Sequence, residues 1–276
     1  MKQALDCKVV RDKILGEVKQ IVEKLEASGC EKPSVKIIQV GNREDSNRYV
    51  KNKINRCLEV GIEASVAVFP EEIITLELIA EIEKIQSEVS AVIVQCPLPK
   101  HIDEKMVMET INPLKDCDGL TRTNIGYIYS GTPRIIPATA LGILTLLEEN
   151  NVQLEGANVL LIGRSNLVNM PLFKLLLDGN ATVTIAHSKT KDLDKKLSSG
   201  DYDIIVGAIG KSKFLKNAKA KYIIDVGINV DENGKLTGDF DIDTCECEYY
   251  TPTPSGTGLL TQGAIVLSIL KCHLLQ

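Results

Sequence analysis

Tyr49 and Lys53 lie four residues apart within 43–60, a stretch whose apolar residues Val50, Ile54, Cys57 and Leu58 recur at helical spacing. Residues four apart on a helix stand one above the other, so the phenol and the amine share one margin of the buried stripe. A lysine at such a margin ordinarily covers core with its stem and keeps its charge in water. Chemistry there needs further groups beside it, and two candidates follow along the chain. Residues 91–95 form an apolar run ending in Gln95-Cys96-Pro97-Leu98-Pro99. Ligands of open α/β sheets bind outside the carboxyl ends of strands, so Gln95 and its proline-stiffened turn are placed to line a cleft. The connection 112–137 is rich in Gly, Pro, Asn and Thr and contains Asp116-Cys117-Asp118-Gly119. Two carboxylates beside a glycine suit a metal-binding turn, an acid/base pair or a capped loop, and the residues alone leave all three open.

A second chemical stretch occupies 156–190. An apolar strand at 158–162 breaks at Gly163, and Leu167, Pro171, Leu172, Leu175 and Leu176 then follow at helical spacing, as on a helix packed against a sheet. A second strand covers 181–186, which completes a βαβ unit. The turn after the first strand of such a unit aims backbone N–H groups at the helix N-terminus, where a phosphate is favoured. The dinucleotide pattern asks for glycines here; Gly163, Ser165 and Asn169 occupy those spacings, so only the first is of the expected type. The second strand ends in His187-Ser188-Lys189-Thr190, with no acid to hold a ribose hydroxyl. Arg164 and a hydroxyl suit a 2′-phosphate, which favours NADP, with NAD as the alternative. A phosphate-free crossover with a solvated Arg164 also fits this unit taken alone.

The elements that would carry these residues alternate strand and helix along 276 residues, as in parallel sheets with right-handed crossovers, and the length suits two α/β lobes. The hydrophobic fraction is 44% and no apolar run approaches a membrane span in this reading. The charged N-terminus has no signal-peptide core, so a cytoplasmic protein is expected. A formal net charge of −5 argues against general nucleic-acid affinity. Eight scattered cysteines read as reduced structural thiols, and Cys245-Glu-Cys247 is too tight for a zinc knuckle. Thr139 is placed to cap the helix that leads into the nucleotide unit, and the Pro/Gly-rich loop 251–258 precedes a final apolar helix.

Taken together the chain resembles the methylenetetrahydrofolate dehydrogenase / methenyltetrahydrofolate cyclohydrolase family. The matching pieces, in order, are GNREDSNRYVKNK (41–53), VQCPLP (94–99), INPLKDCDGL (111–120), TNIGY (123–127), GRSNLV (163–168), HSKT (187–190), DVGIN (225–229), GDFD (238–241) and TPTPSGTG (251–258). The resemblance implies an N-terminal α/β catalytic domain at 1–137, with the helix at about 262–276 packing back on it, a Rossmann-like NADP-binding domain with a parallel sheet at 138–261, and a cleft between the lobes. It implies oxidation of methylenetetrahydrofolate with NADP and hydrolysis of the methenyl form, and a homodimer through the cofactor lobe.

By the same resemblance Lys53 and Tyr49 are catalytic, Gln95 holds the lysine, and Asp118 grips the pterin ring, whose N–H groups a carboxylate accepts as a pair. Val94, Cys96 and the loop Pro254, Ser255, Gly256, Thr257, Gly258 would line the folate site. Gly163, Arg164, Ser165, Ser188 and Ile228 would hold the cofactor. This chain departs from the family at Asn169, Asn55, Ala140 and the loop Pro254-Ser-Gly-Thr-Gly-Leu-Leu-Thr261, which has lost one glycine and one proline. Those changes are expected to bear on the dehydrogenase step, with Asn169 crowding helix against strand or reshaping the pyrophosphate site. A cyclohydrolase with an impaired dehydrogenase, a different NADP-dependent dehydrogenase of two lobes, and a non-catalytic binding protein are the alternatives.

Overall fold

A computed structural model describes residues 2–276, apart from the side chain of Asp45. The first half of the chain forms β1 (Gln3–Ala4), α1 (Cys7–Ala27), β2 (Ser34–Val40), α2 (Glu44–Glu59), β3 (Glu63–Phe69), α3 (Thr75–Ile85), β4 (Ala91–Val94), α4 (Glu104–Thr110) and α5 (Arg122–Tyr129). The second half continues with α6 (Ala138–Glu149), β5 (Asn158–Ile162), α7 (Asn169–Asp178), β6 (Thr182–Ala186), α8 (Leu193–Ser198) and β7 (Tyr202–Gly207). It closes with β8 (Ala220–Asp225), β9 (Asn229–Val230), β10 (Leu236–Thr237), β11 (Tyr249–Tyr250) and α9 (Thr257–Leu274). These gather into two compact units, one of the stretch through Arg11 with Thr139–Thr261, the other of Asp12–Ala138 with Gln262–Gln276.

In the second of these units β3, β2 and β4 pair in that order, all parallel. Central β2 buries Val35, Ile37, Ile38, Gln39 and Val40, and β4 is a fully buried Ala-Val-Ile-Val run, whereas β3 leaves Val66 and Val68 exposed. Ile38, Val92 and Val94 of the sheet meet Leu78 and Ile82 of α3 and Val107 of α4 in one core. Helix α2 buries Val50 and Cys57, but Leu58, expected in the same stripe, is 56% exposed.

The other unit is a six-stranded sheet in the order β1-β11-β8-β7-β5-β6, parallel throughout. The chain leaves β5 to one side for β6 and then returns to the other side for β7, so the order reverses at β5. Its core joins Leu160, Ile162, Ile205, Ile223, Leu215 and Phe240. Strand β1, expected within a lobe spanning 1–137, belongs to this sheet instead: Gln3 N–H donates to Glu248 O at 2.7 Å and Leu5 N–H to Tyr250 O at 2.8 Å. Two-residue strands such as β1 and β11 carry too few residues for a period to show.

Two further expectations change. Thr139 is not a cap: α6 begins at Ala138, and the Thr139 hydroxyl pairs with that of Thr261 at 3.1 Å. Helix α9 is long and apolar enough to cross a membrane, with a mean hydropathy of 1.3 over 18 residues, but 56% of that window is buried inside the protein. Leu260, Ala264, Val266 and Ile269 are fully buried, so its apolarity is that of a core helix.

Candidate active site

Helix α2 carries Ser46, Tyr49 and Lys53 at positions i, i+3 and i+7, hence on one face. That face looks onto the end of β4, where Gln95 N–H is held by Ile38 O at 2.9 Å. Lys53 Nζ donates to Gln95 Oε1 at 3.0 Å, and Gln95 Nε2 donates to Cys96 O at 2.9 Å. Both ends of the amide are thereby engaged, which fixes the carbonyl toward the amine. Ser46, Tyr49, Lys53, Gln95, Cys96 and Pro97 line a cavity of about 230 Å³. Tyr49 is 53% exposed. An amine oriented by a neutral amide, beside an exposed phenol, can hold and transfer a proton to a bound molecule.

Val94, the last residue of β4 and expected to line the folate site, is buried in the core and does not line this cavity. Burial pushes the Cys96 thiol up to about 12, with Glu104 adding to the effect, so it stands in the wall as a protonated thiol. Pro97 belongs to the proline-stiffened turn expected to line a cleft, whereas Ser46 escaped the sequence reading. Spacing could have found Ser46, three residues before Tyr49.

The loop after α4 runs alongside β4, with Val92 N–H donating to Lys115 O at 2.8 Å and a bridge between Val92 and Asp116. This carries Asp118 toward the carboxyl end of that strand. Burial raises the Asp118 carboxyl above the ordinary carboxylate range, the Lys53 ammonium opposes that shift, and Asp116 adds to it. Lys53 and Asp118 therefore lie within electrostatic reach of each other. Asp116 answers the question its neighbours left open: its Oδ2 accepts from Thr121 N–H at 2.8 Å and Asn124 Nδ2 at 3.0 Å, as a loop cap does. Among the described residues no group of three His, Cys, Asp or Glu could hold a metal ion.

In the other unit Gly163 follows β5 with φ +116°, and a Cβ there would stand 2.5 Å from Ala208 O. Only glycine fits this turn. Arg164 and Ser165 are exposed beside it, at the N-terminal end of α7. Asn169 does not crowd helix against strand. It is fully buried, and its Nδ2 donates to Ile162 O at 2.9 Å, so the side chain itself ties the helix to the strand end.

The turn after β6 closes on itself, with His187 N–H donating to Thr190 Oγ1 at 2.8 Å and Thr190 N–H to His187 O at 2.8 Å. Ser188 and Lys189 are left exposed at its tip. A glycine turn opening a helix, followed by a strand end that offers hydroxyl and cation and no carboxylate, fits a dinucleotide with a 2′-phosphate.

Ile228 is 51% exposed after β8. Of the loop expected at 254–258, Thr257 and Gly258 belong to the first turn of α9, and Thr257 Oγ1 donates to Asp225 O at 3.0 Å. Ser255 stands where the resembled family has glycine and takes φ +75°, a conformation that a side chain disfavours. All eight cysteines are free, five of them buried.

Two family models cover the chain: tetrahydrofolate dehydrogenase/cyclohydrolase, catalytic domain, at residues 5–118, and the NAD(P)-binding domain of the same family at 137–276. The bifunctional protein FolD of Streptococcus pneumoniae is 40% identical over 268 residues, covering 95% of this chain and 93% of its own. The crystal structure of bifunctional FolD from Campylobacter jejuni superposes with a TM-score of 0.95 at 34% identity, covering 99% of both chains. The Trypanosoma brucei enzyme, solved with NADP cofactor and an inhibitor, gives a TM-score of 0.91 at 29% identity, covering 99% of this chain and 97% of that one. On the strength of both domain models and of relatives matched over nearly its whole length, the chain belongs to the tetrahydrofolate dehydrogenase/cyclohydrolase family.

Proposed function

We infer that this protein oxidises 5,10-methylenetetrahydrofolate to 5,10-methenyltetrahydrofolate with NADP⁺ and hydrolyses the methenyl form to 10-formyltetrahydrofolate. The observation that carries the reading is the Lys53–Gln95 hydrogen bond at 3.0 Å in a cavity that Tyr49 also lines, in a chain matched by both family domains. Bound NADP⁺ supplies the hydride acceptor. The chain supplies alignment and proton handling.

Hydrolysis requires water to add to the methenyl carbon and give up both its protons, one released to solvent and one passed to N5 as the bond from this carbon to N5 breaks and the formyl carbonyl forms. Lys53 is the group placed to move that proton, and Gln95 holds its amine in one direction. Tyr49, standing one turn earlier on α2, presents a phenol to the same cavity. Asp118 is assigned to the pterin ring. Its carboxylate suits paired N–H donors, and desolvation strengthens such bonds. Cys96 forms part of the wall with Val94 in the core, and Pro254, Ser255, Gly256, Thr257 and Gly258 are assigned to folate.

Gly163, Arg164 and Ser165 are assigned to the phosphates, Arg164 with Ser188 to the 2′-phosphate, and Ile228 to the nicotinamide side. The protein is assigned to the cytoplasm and to a homodimer formed through the unit of the six-stranded sheet. The assignment of domains follows the two units: catalytic for Asp12–Ala138 with α9 from Gln262, nucleotide-binding for the stretch through Arg11 with Thr139–Thr261.

A paired spectrophotometric assay tests the function. Methylenetetrahydrofolate with NADP⁺ should yield reduced cofactor, and methenyltetrahydrofolate alone should disappear faster than it does spontaneously. Hydrolysis without hydride transfer would identify a cyclohydrolase alone, and silence in both would reject the enzyme reading.

A further inference from the structure

Asp225, at the end of β8, and Asp239, just after β10, are 2% and 0% exposed and have no part in the chemistry above. An ionised carboxylate is costly to bury unless hydrogen bonds replace its water. Asp239 Oδ2 accepts from the N–H groups of Ile209 at 2.6 Å and Gly210 at 3.2 Å. Its Oδ1 accepts from Lys211 N–H at 2.7 Å and Asn229 Nδ2 at 3.0 Å. Asp225 Oδ1 accepts from Gly227 N–H at 3.0 Å and from Asp239 N–H at 2.8 Å, and its Oδ2 from Phe240 N–H at 3.0 Å. A Cβ at Gly238 would fall 1.9 Å from Asp225 Oδ2, so the backbone approaches this carboxylate as closely as a glycine allows.

Besides Asp239 N–H and Phe240 N–H, which follow β10, the donors come from the turn after β7 and from the segment Gly227–Asn229 after β8. The first abuts the glycine turn: Ala208 N–H donates to Ile162 O at 2.9 Å, and Ala208 O occupies the space a Cβ on Gly163 would need. The second carries Ile228 between Gly227 and Asn229, both of which a carboxylate holds. Apolar packing could close these turns. Carboxylates with converging N–H donors also fix their orientation.

We propose that Asp239, backed by Asp225, is a positioning residue for the cofactor: it sets the turn after β7 against the glycine turn and holds the segment bearing Ile228, so that NADP⁺ affinity depends on it. The proposal rests on the reading above only in naming NADP⁺ as the ligand.

The test is calorimetric titration of the whole protein with NADP⁺, for wild type and Asp239→Asn, with hydrolysis of methenyltetrahydrofolate measured without cofactor. Asn keeps the size but turns an NH₂ toward N–H donors. The Kd for NADP⁺ should rise by at least about tenfold, since hydrogen bonds to charged groups are the strong ones, while hydrolysis stays within about twofold. An unchanged Kd, or parallel loss of binding and hydrolysis, overturns the proposal. Should Asp239→Asn fail to fold, Asn229→Ala removes one donor and leaves the carboxylate in place; a Kd raised about threefold is expected, and an unchanged Kd overturns the proposal. Binding is read without hydride transfer, so a wild type that binds NADP⁺ but does not reduce it rejects the dehydrogenase reading and leaves this test intact. A wild type that does not bind NADP⁺ overturns both.

Discussion

Tyr49 and Lys53 stand on a 16-residue helix and Gln95 just past a buried strand, whereas the residues around Gly163, Ala208 and Ile228 stand on turns. In the first region side chains do the work and regular elements aim them. In the second, backbone N–H groups shape the turns, and the carboxylates of Asp239 and Asp225 hold them. Sites on helices and strands inherit their precision from the element, while a turn needs its supporting hydrogen bonds supplied from elsewhere. Damage to the two regions should therefore look different, and the protein's two activities can report them separately.

The largest effect is expected from Lys53→Met, which keeps the apolar stem and removes the amine. Methenyltetrahydrofolate hydrolysis should fall by ~10²–10⁴-fold, the range for a lost acid/base group, while NADP⁺ binding holds. Retained hydrolysis would remove Lys53 from the chemistry and with it one side of the comparison. Gly163→Ala probes the other side. Its Cβ would meet Ala208 O at 2.5 Å in a backbone conformation at φ +116°. A strain of ~1–3 kcal/mol should weaken NADP⁺ binding by about 10–100-fold and leave hydrolysis alone. Equal loss of both activities would show that the regions are not separable.

Arg164→Ala sharpens the cofactor side. NADP⁺ should bind about tenfold more weakly with NAD⁺ nearly unaffected, as loss of one charge-assisted contact implies, and equal losses would refute the 2′-phosphate assignment. A pH series separates the regions by stability. Burial raises the Asp225 carboxyl to about 6, against three opposing backbone N–H groups.

A carboxyl raised on folding keeps its proton longer in the native state, so its contribution is fully present below the unfolded value. That contribution is lost as pH rises through about 6, the reverse of the usual carboxylate. The difference in denaturation midpoint between wild type and Asp225→Asn should shift between about pH 4 and about pH 6, and a flat difference would contradict it. The smallest effect belongs to Ser255→Gly. Relieving φ +75° should stabilise by about 1 kcal/mol or less, because glycine also gains freedom in the unfolded chain; a lowered midpoint would mean that Ser255 makes contacts worth keeping.

The same contrast explains what could be read in advance. Tyr49 and Lys53 were legible because helical periodicity places residues four apart on one face. Gln95 was legible because a buried run announces a strand end. The βαβ unit around Gly163 was legible for the same reasons. Asp239 carries no such mark: it sits in a short polar stretch between two-residue strands, and nothing local says that its partners are Ile209, Gly210 and Lys211. Asn169 was legible as a departure but not in its effect, because whether a side chain crowds or bridges depends on the acceptor waiting across the gap, here Ile162 O.

By itself the sequence determined the alternation of strands and helices, the face shared by Tyr49 and Lys53, the glycine turn without an acidic ribose partner and, through the order of its motifs, the family. These follow from periodicities of two and 3.6 residues and from the stereochemistry of single residues, all local properties. Tertiary structure alone decided that β1 joins the six-stranded sheet, that Gln95 reaches Lys53, that Asp116 caps its loop, and that two buried carboxylates hold the turns after β7 and β8. Most of these contacts join groups that no local periodicity relates, and such a contact is fixed only when the packed core and the need to satisfy every buried polar group are solved together.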